Sequence, residues 1–147
     1  MKDAPQGWPR ITTTIYYKDA KIMIDWLCRA FGFEVQMVVE GEAGNIEHSE
    51  LRLAESLIMV GQADIKKTKR WGVRRASPID VQGCNTQTLQ MYVDDIEAHY
   101  ANAKQQGATI VDELSLRDYG KDYWADNSYG AMDPEGHVWW ISERARG

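Results

Sequence analysis

The sequence predicts an α+β fold built of two βαβββ modules, and three observations carry that reading. A strand-to-helix corner occurs twice, as Tyr17-Lys18-Asp19 and as Val93-Asp94-Asp95, 76 residues apart. Each corner leads into a helix-length segment closed by glycine, and Asp19 to Gly32 spans the same 13 positions as Asp94 to Gly107. The stretch Asp133-Pro134-Glu135-Gly136-His137 reads as a tight turn feeding the aromatic strand Val138-Trp139-Trp140-Ile141, which completes the second module. Asp133, Pro134 and Gly136 fill the first, second and fourth places of a type I turn, where they supply a local acceptor, a fixed φ and a tolerant exit. An internal duplication of about 75 residues accounts for all three.

Taken in order, Arg10–Tyr17 is β-branched and aromatic and reads as a strand. Asp19 caps the first helix, in which Met23, Trp26, Leu27, Ala30 and Phe31 recur at three- and four-residue spacing and bury one stripe. Gly32 closes it. Strands follow over Phe33–Glu40, Ile46–Leu53 and Ser56–Val60, joined by the turns Gly41–Asn45 and Ala54-Glu55. In the second half, Thr86–Val93 is a strand, and Asp94 or Asp95 caps a helix whose Ile96, Tyr100 and Ala103 share a face. After Gly107 come a strand over Ala108–Asp112, a polar loop carrying Arg117 to Asp126, and a closing hairpin of Ser128–Met132 with His137–Ser142. The expected organisation is one domain over 1–147, with module 10–62, a basic linker 63–85 and module 86–143.

Composition bounds the function classes. The chain has 147 residues, 44% hydrophobic and 27% charged, with a net charge of −5, which suits one globular domain with a real core. No run of 18 apolar residues predicts a membrane span, and the start lacks a signal-peptide core, so a cytoplasmic protein is expected. Cys28 and Cys84 make no disulfide framework, and Cys28 reads as a helix packing residue. Lys66, Lys67, Lys69, Arg70, Arg74 and Arg75 lie in 63–85 against only Asp64 and Asp80. That basic run is short and sits beside Gly72 and Pro78, so it reads as a solvated linker. The acidic remainder disfavours nucleic acid and favours cationic small molecules.

The paired modules, the corner Tyr17-Lys18-Asp19-Ala20, the helix end Arg29-Ala30-Phe31-Gly32-Phe33-Glu34 and the motif Asp133-Pro134-Glu135-Gly136-His137 together resemble the glyoxalase/bleomycin-resistance/dioxygenase superfamily, also called vicinal oxygen chelate. The likeness covers residues 10–142. It implies a curved mixed sheet forming a cup, helices on its outer face, a ligand site inside, and a homodimer, in some members with exchanged halves. The family's metal enzymes place ligands on the first and last strands of each unit. Carried over, those positions fall on Thr12, Met59, Thr88 and Trp140. None offers imidazole or carboxylate, so no metal and no cofactor are expected.

Period-two alternation then supplies a candidate cup lining. Thr12, Thr14 and Tyr16 fall on one face of the first strand, and Thr88, Gln90 and Tyr92 on one face of the fifth. Leu51 and Leu53 suit the helix side, which leaves His48, Glu50 and Arg52 for the cup; these three read equally as a partly exposed strand face. Val138 and Trp140 face in from the last strand, with Tyr123 and Trp124 as a rim. Trp140 serves either the pocket or the core, whereas Trp26 and Trp139 are core, and His99 and His137 are surface or turn residues. No catalytic triad, phosphate-cradling loop or zinc pattern is present in the sequence. Two functions stay open: metal-free binding of a small aromatic or cationic molecule in the cup, similar to bleomycin-resistance proteins, or an enzyme of lyase, isomerase or dioxygenase type. The enzyme would use His48 as base oriented by Glu50, or a metal site not recognised in the sequence. A vestigial cup with a structural or regulatory role is the third.

Overall fold

The structure is a computed structural model and describes residues 1–66 and 72–147. It divides into two compact units, Met1–Val81 and Gln82–Gly147. The first holds β1 (Thr13–Tyr17), α1 (Ala20–Phe31), β2 (Glu34–Glu40), β3 (Ile46–Leu53) and β4 (Ser56–Gln62). The second repeats the order with β5 (Leu89–Tyr92), α2 (Ile96–Gln105), β6 (Thr109–Asp118), β7 (Ala125–Met132) and β8 (Val138–Arg146). Both sheets are four-stranded and open, ordered β1-β4-β3-β2 and β5-β8-β7-β6. In each, the first and last strands of the module pair in parallel, and the other pairings are antiparallel. The fold is therefore the expected α+β pair of βαβββ modules.

Local chemistry explains the helices. Asp19 accepts from the backbone N–H of Ile22 at 3.3 Å, and Gly32 takes the left-handed conformation (φ 78°) that ends α1. α1 buries Ala20, Met23, Ile24, Trp26, Leu27, Ala30 and Phe31 against the sheet face that carries Ile15, Tyr17, Leu51 and Val60. Of the two candidate caps of α2, Asp95 is the one used, accepting from Ala98 N–H at 3.0 Å. α2 buries only Ile96 and Ala103, and a second carboxylate, Glu143 on β8, receives the Ile96 N–H at 2.9 Å. Burial also pushes the Cys28 thiol up from its ordinary pKa, which fits a packing role over a nucleophilic one.

The turn at Asp133 forms as expected, and its carboxylate organises it. Oδ1 accepts from the N–H groups of Glu135 and His137 at 3.1 Å each, and Oδ2 from the Trp139 indole at 3.0 Å. Gly136 N–H donates to Asp133 O at 2.9 Å, with φ at 97°, which favours glycine. Asn85 ties the turn from outside, donating to Gly136 O at 2.9 Å and accepting from Val138 N–H at 3.1 Å.

Several strand boundaries differ from the sequence expectation. The expected polar loop of Arg117 to Asp126 is shorter, 119–124: β6 runs on to Asp118, β7 begins at Ala125, and Arg117 pairs with Asp126. Register shifts at Ile110/Asp112 and Asp112/Ser115 break the period of two there, so the segment does not alternate in sequence as a regular strand would. β8 continues past Ser142 to Arg146. β1 and β5 begin at Thr13 and Leu89, which leaves Thr12 and Thr88 just outside the ladders. In the segment 63–85, Asp64 and Arg75 form an antiparallel bridge and Pro78–Val81 a 3-10 turn; Lys67, Lys69 and Arg70 lie outside the described residues. Among the described residues no helix is long and apolar enough to cross a membrane.

Candidate functional site

In the first unit, α1 occupies one sheet face and leaves the opposite face polar. Register brings Thr14 beside Met59 and Tyr16 beside Gly61, while Glu50 lies opposite Met37, His48 opposite Val39 and Arg52 opposite Glu34. His48, Glu50 and Arg52 thus share a face, as alternation implied. They are more than an exposed strand face, because Glu50 is only 5% exposed. His48 Nε2 lies 2.9 Å from Glu50 Oε1, and Gln36 Nε2 donates to Oε2 at 2.5 Å. Arg52 in turn donates to Gln36 Oε1 and to the carbonyl of Gly7. Gln36 carries no signal in sequence, since alternation with Val35 and Met37 places it elsewhere. A register shift between those neighbours re-aims it.

Both Glu50 oxygens are therefore engaged within the protein. The hydrogen bond from His48, followed by that from Gln36, holds its carboxyl below the usual carboxylate range. The sign follows from linkage: a depressed folded pKa gives stability that is present above the unfolded value, about 4.3, and lost as pH falls through the folded value. Glu50→Gln is expected to flatten the acid limb of the stability curve below about pH 4.5. Urea denaturation of both proteins between pH 3 and 6 checks this, and parallel curves would contradict it.

Tyr16 completes this face. A side chain on Gly61 would place its Cβ 2.9 Å from Tyr16 Cε1, so the glycine is what lets the ring lie across β4. The Arg75 guanidinium sits 5.6 Å from the ring centroid and is held by Asp64 at 4.0 Å.

The second unit repeats the plan. Met91, Tyr129, Ala131, Trp139 and Ile141 are buried on the α2 side. The other face carries Gln90 beside Trp140, Trp140 beside Gly130, and Gly130 beside Asp112. Trp140 is half-buried, and Trp139 beside it is the core residue. The Trp140 ring lies over Gly130, where a Cβ would meet Trp140 Cζ3 and Val111 Cγ2 at 3.0 Å each. Arg117 stands 5.8 Å from the Trp140 centroid and donates to Asp112 at 2.7 Å.

Further along the same face, Tyr92 donates to Asp126 Oδ2 at 3.0 Å and accepts from Arg144 at 2.7 Å, while Arg144 Nε reaches Asp126 Oδ1 at 2.5 Å. Arg144 also lies over the Tyr92 and Trp124 rings, and Asp126 is buried. Tyr123 and Trp124 are exposed at the β6–β7 hairpin, edge to face with ring centroids 6.2 Å apart. Thr88 is exposed and Thr12 half-buried. Asp126, Arg144, Arg117 and Gly130 have no motif to mark them. The one available signal for Arg144 is the i, i+2 continuation from Trp140 through Ser142. His99 Nδ1 lies 2.7 Å from the hydroxyl of buried Tyr129, on the α2 side.

The four positions carried over from the family's metal enzymes do not fit a divalent ion. Hydroxyls of Thr12 and Thr88, the Met59 thioether and the Trp140 indole are poor donors. The described residues hold no group of three His, Cys, Asp or Glu placed to bind one.

Comparison with known proteins gives the lineage. Residues 10–141 match the sequence model of the Glyoxalase/Bleomycin resistance protein/Dioxygenase superfamily. Proteins of unassigned function from Mycobacterium bovis and Mycobacterium tuberculosis are each 26% identical over 138 residues, spanning 94% of this chain and 85% and 76% of theirs. Among solved structures, TioX from Micromonospora sp. ML1 is similar with a TM-score of 0.69 at 23% identity, over 92% of this chain and 98% of its own. A glyoxalase/bleomycin resistance protein/dioxygenase from Alicyclobacillus acidocaldarius gives 0.60 at 14% identity, over 97% and 96%. With its two βαβββ modules and a match over nearly its whole length, the chain belongs to the glyoxalase/bleomycin resistance protein/dioxygenase superfamily.

Proposed function

We propose that this chain is a metal-free binding member of its superfamily that takes up a small aromatic molecule on the polar face of its second sheet. The observation that carries the reading is Trp140, a large ring laid over a glycine on the face away from the helix. Aromatic platforms flanked by a few fixed polar groups are the usual make-up of a small-molecule site. The cationic alternative has weaker support, because each oxygen of Glu50 already has a hydrogen-bond partner within the protein. We read the protein as a cytoplasmic homodimer and as one ligand-binding domain over 1–147. Light scattering after gel filtration checks the dimer.

The test is a thermal-shift screen of small aromatic compounds, since a ligand that binds only the native state raises its stability. Hits should quench tryptophan emission, and Trp140→Phe should remove most of that quenching while the protein stays folded. Quenching unchanged in the variant would place the site elsewhere.

One observation favours a second, enzymatic reading. His48 is 40% exposed at its side chain while Glu50, which orients it, is buried and fixed by Gln36. That is the arrangement of an oriented general base. Turnover of any screening hit, lost in both His48→Gln and Glu50→Gln, would establish it.

A further inference from the structure

Arg117 is only partly engaged within the protein. Its Nη2 donates to Asp112 at 2.7 Å, whereas its Nε–H is buried without a hydrogen-bond partner. A guanidinium offers five N–H donors in a fixed plane, and a buried donor left unmade is costly enough that nearly all native ones are satisfied. The side chain as a whole remains 31% exposed, so the group is not sealed in the core. It stands over the Trp140 ring, which itself lies on Gly130 with Val111 alongside. Asp112 fixes where the guanidinium points, which lowers the entropy lost when it engages a further acceptor. Its other neighbouring carboxylate, Asp126, is committed to Tyr92 and Arg144 and does not compete for it.

We propose that Arg117 determines ligand specificity at the Trp140 platform by selecting planar aromatic molecules that carry an acidic oxygen, a carboxylate or phenolate, next to the ring. This rests on the binding reading above and adds the ligand's charge. The ring would lie against Trp140 beside the guanidinium while the oxygen accepts from the N–H groups of Arg117 that remain exposed. A guanidinium suits this role because it stays charged, matches carboxylate geometry and stacks on aromatic faces.

The experiment uses matched naphthalene probes, 2-naphthoate and its neutral amide, titrated against the full chain by tryptophan fluorescence and calorimetry. The wild type is expected to prefer the carboxylate by about ten- to a hundredfold, the range for a charge-assisted hydrogen bond. Arg117→Gln should erase that preference by weakening the carboxylate far more than the amide, whereas Arg117→Lys should restore only part of it. Equal affinity for both probes in the wild type, or a preference that survives Arg117→Gln, overturns the proposal while the binding reading stands. If neither probe binds at millimolar concentration, the Trp140 platform itself is wrong and both readings fall. Circular dichroism of each variant separates a lost preference from a lost fold.

Discussion

Asp133→Ala is expected to destabilise the protein by about 3–4 kcal/mol, lowering its melting temperature by roughly 10 °C. Asp133 is 2% exposed and accepts three hydrogen bonds, two from the backbone of its own turn and one from the Trp139 indole. Alanine removes all three, including the carboxylate acceptor of the indole N–H of a tryptophan that is 1% exposed. Unsatisfied buried donors cost more than the bonds contribute when made. Asp133→Asn separates the parts, since the amide keeps one acceptor for the turn but cannot also accept from Trp139 with its nitrogen. It should fall between the wild type and alanine. Denaturant titration measures both, and a loss under about 1 kcal/mol for Asp133→Ala would show that the turn holds without its carboxylate.

Phe31→Ala is expected to cost about 3–5 kcal/mol, the range for emptying a buried aromatic site. Phe31 is 1% exposed at the end of α1 and meets Trp26 edge to face, with centroids 4.9 Å apart. The two variants also test how the chain folds, because Phe31 belongs to the first compact unit and Asp133 to the second. One cooperative domain shows a single transition that both substitutions move. Independent units show two transitions, each shifted by only one substitution. Calorimetry of the wild type and both variants distinguishes these outcomes.

The chemistry of the site was only partly legible beforehand, and the reason is local. Alternation correctly put His48, Glu50 and Arg52 together on β3, because period two is a property of the strand itself. It could not supply Gln36, which reaches Glu50 only through a shift in the β2–β3 register. Nor could it show that both Glu50 oxygens already take part in hydrogen bonds within the protein. Trp140 was rightly set apart from Trp139 by alternation. Its partner Arg117 was assigned to a loop because the β6 register shifts disguise a strand.

By itself the sequence determined the two modules, the ends of α1 and the Asp133 turn. These depend on neighbours within about four positions: caps, apolar stripes and turn residues act through short-range backbone geometry. Only the tertiary structure decided which polar groups meet across strands, as in Arg52 with Gly7, Tyr92 with Asp126, and Arg144 with both. Those partners are 18 to 52 residues apart in sequence. Their pairing is set by register and by the bulges that shift it, and neither is encoded in any one segment.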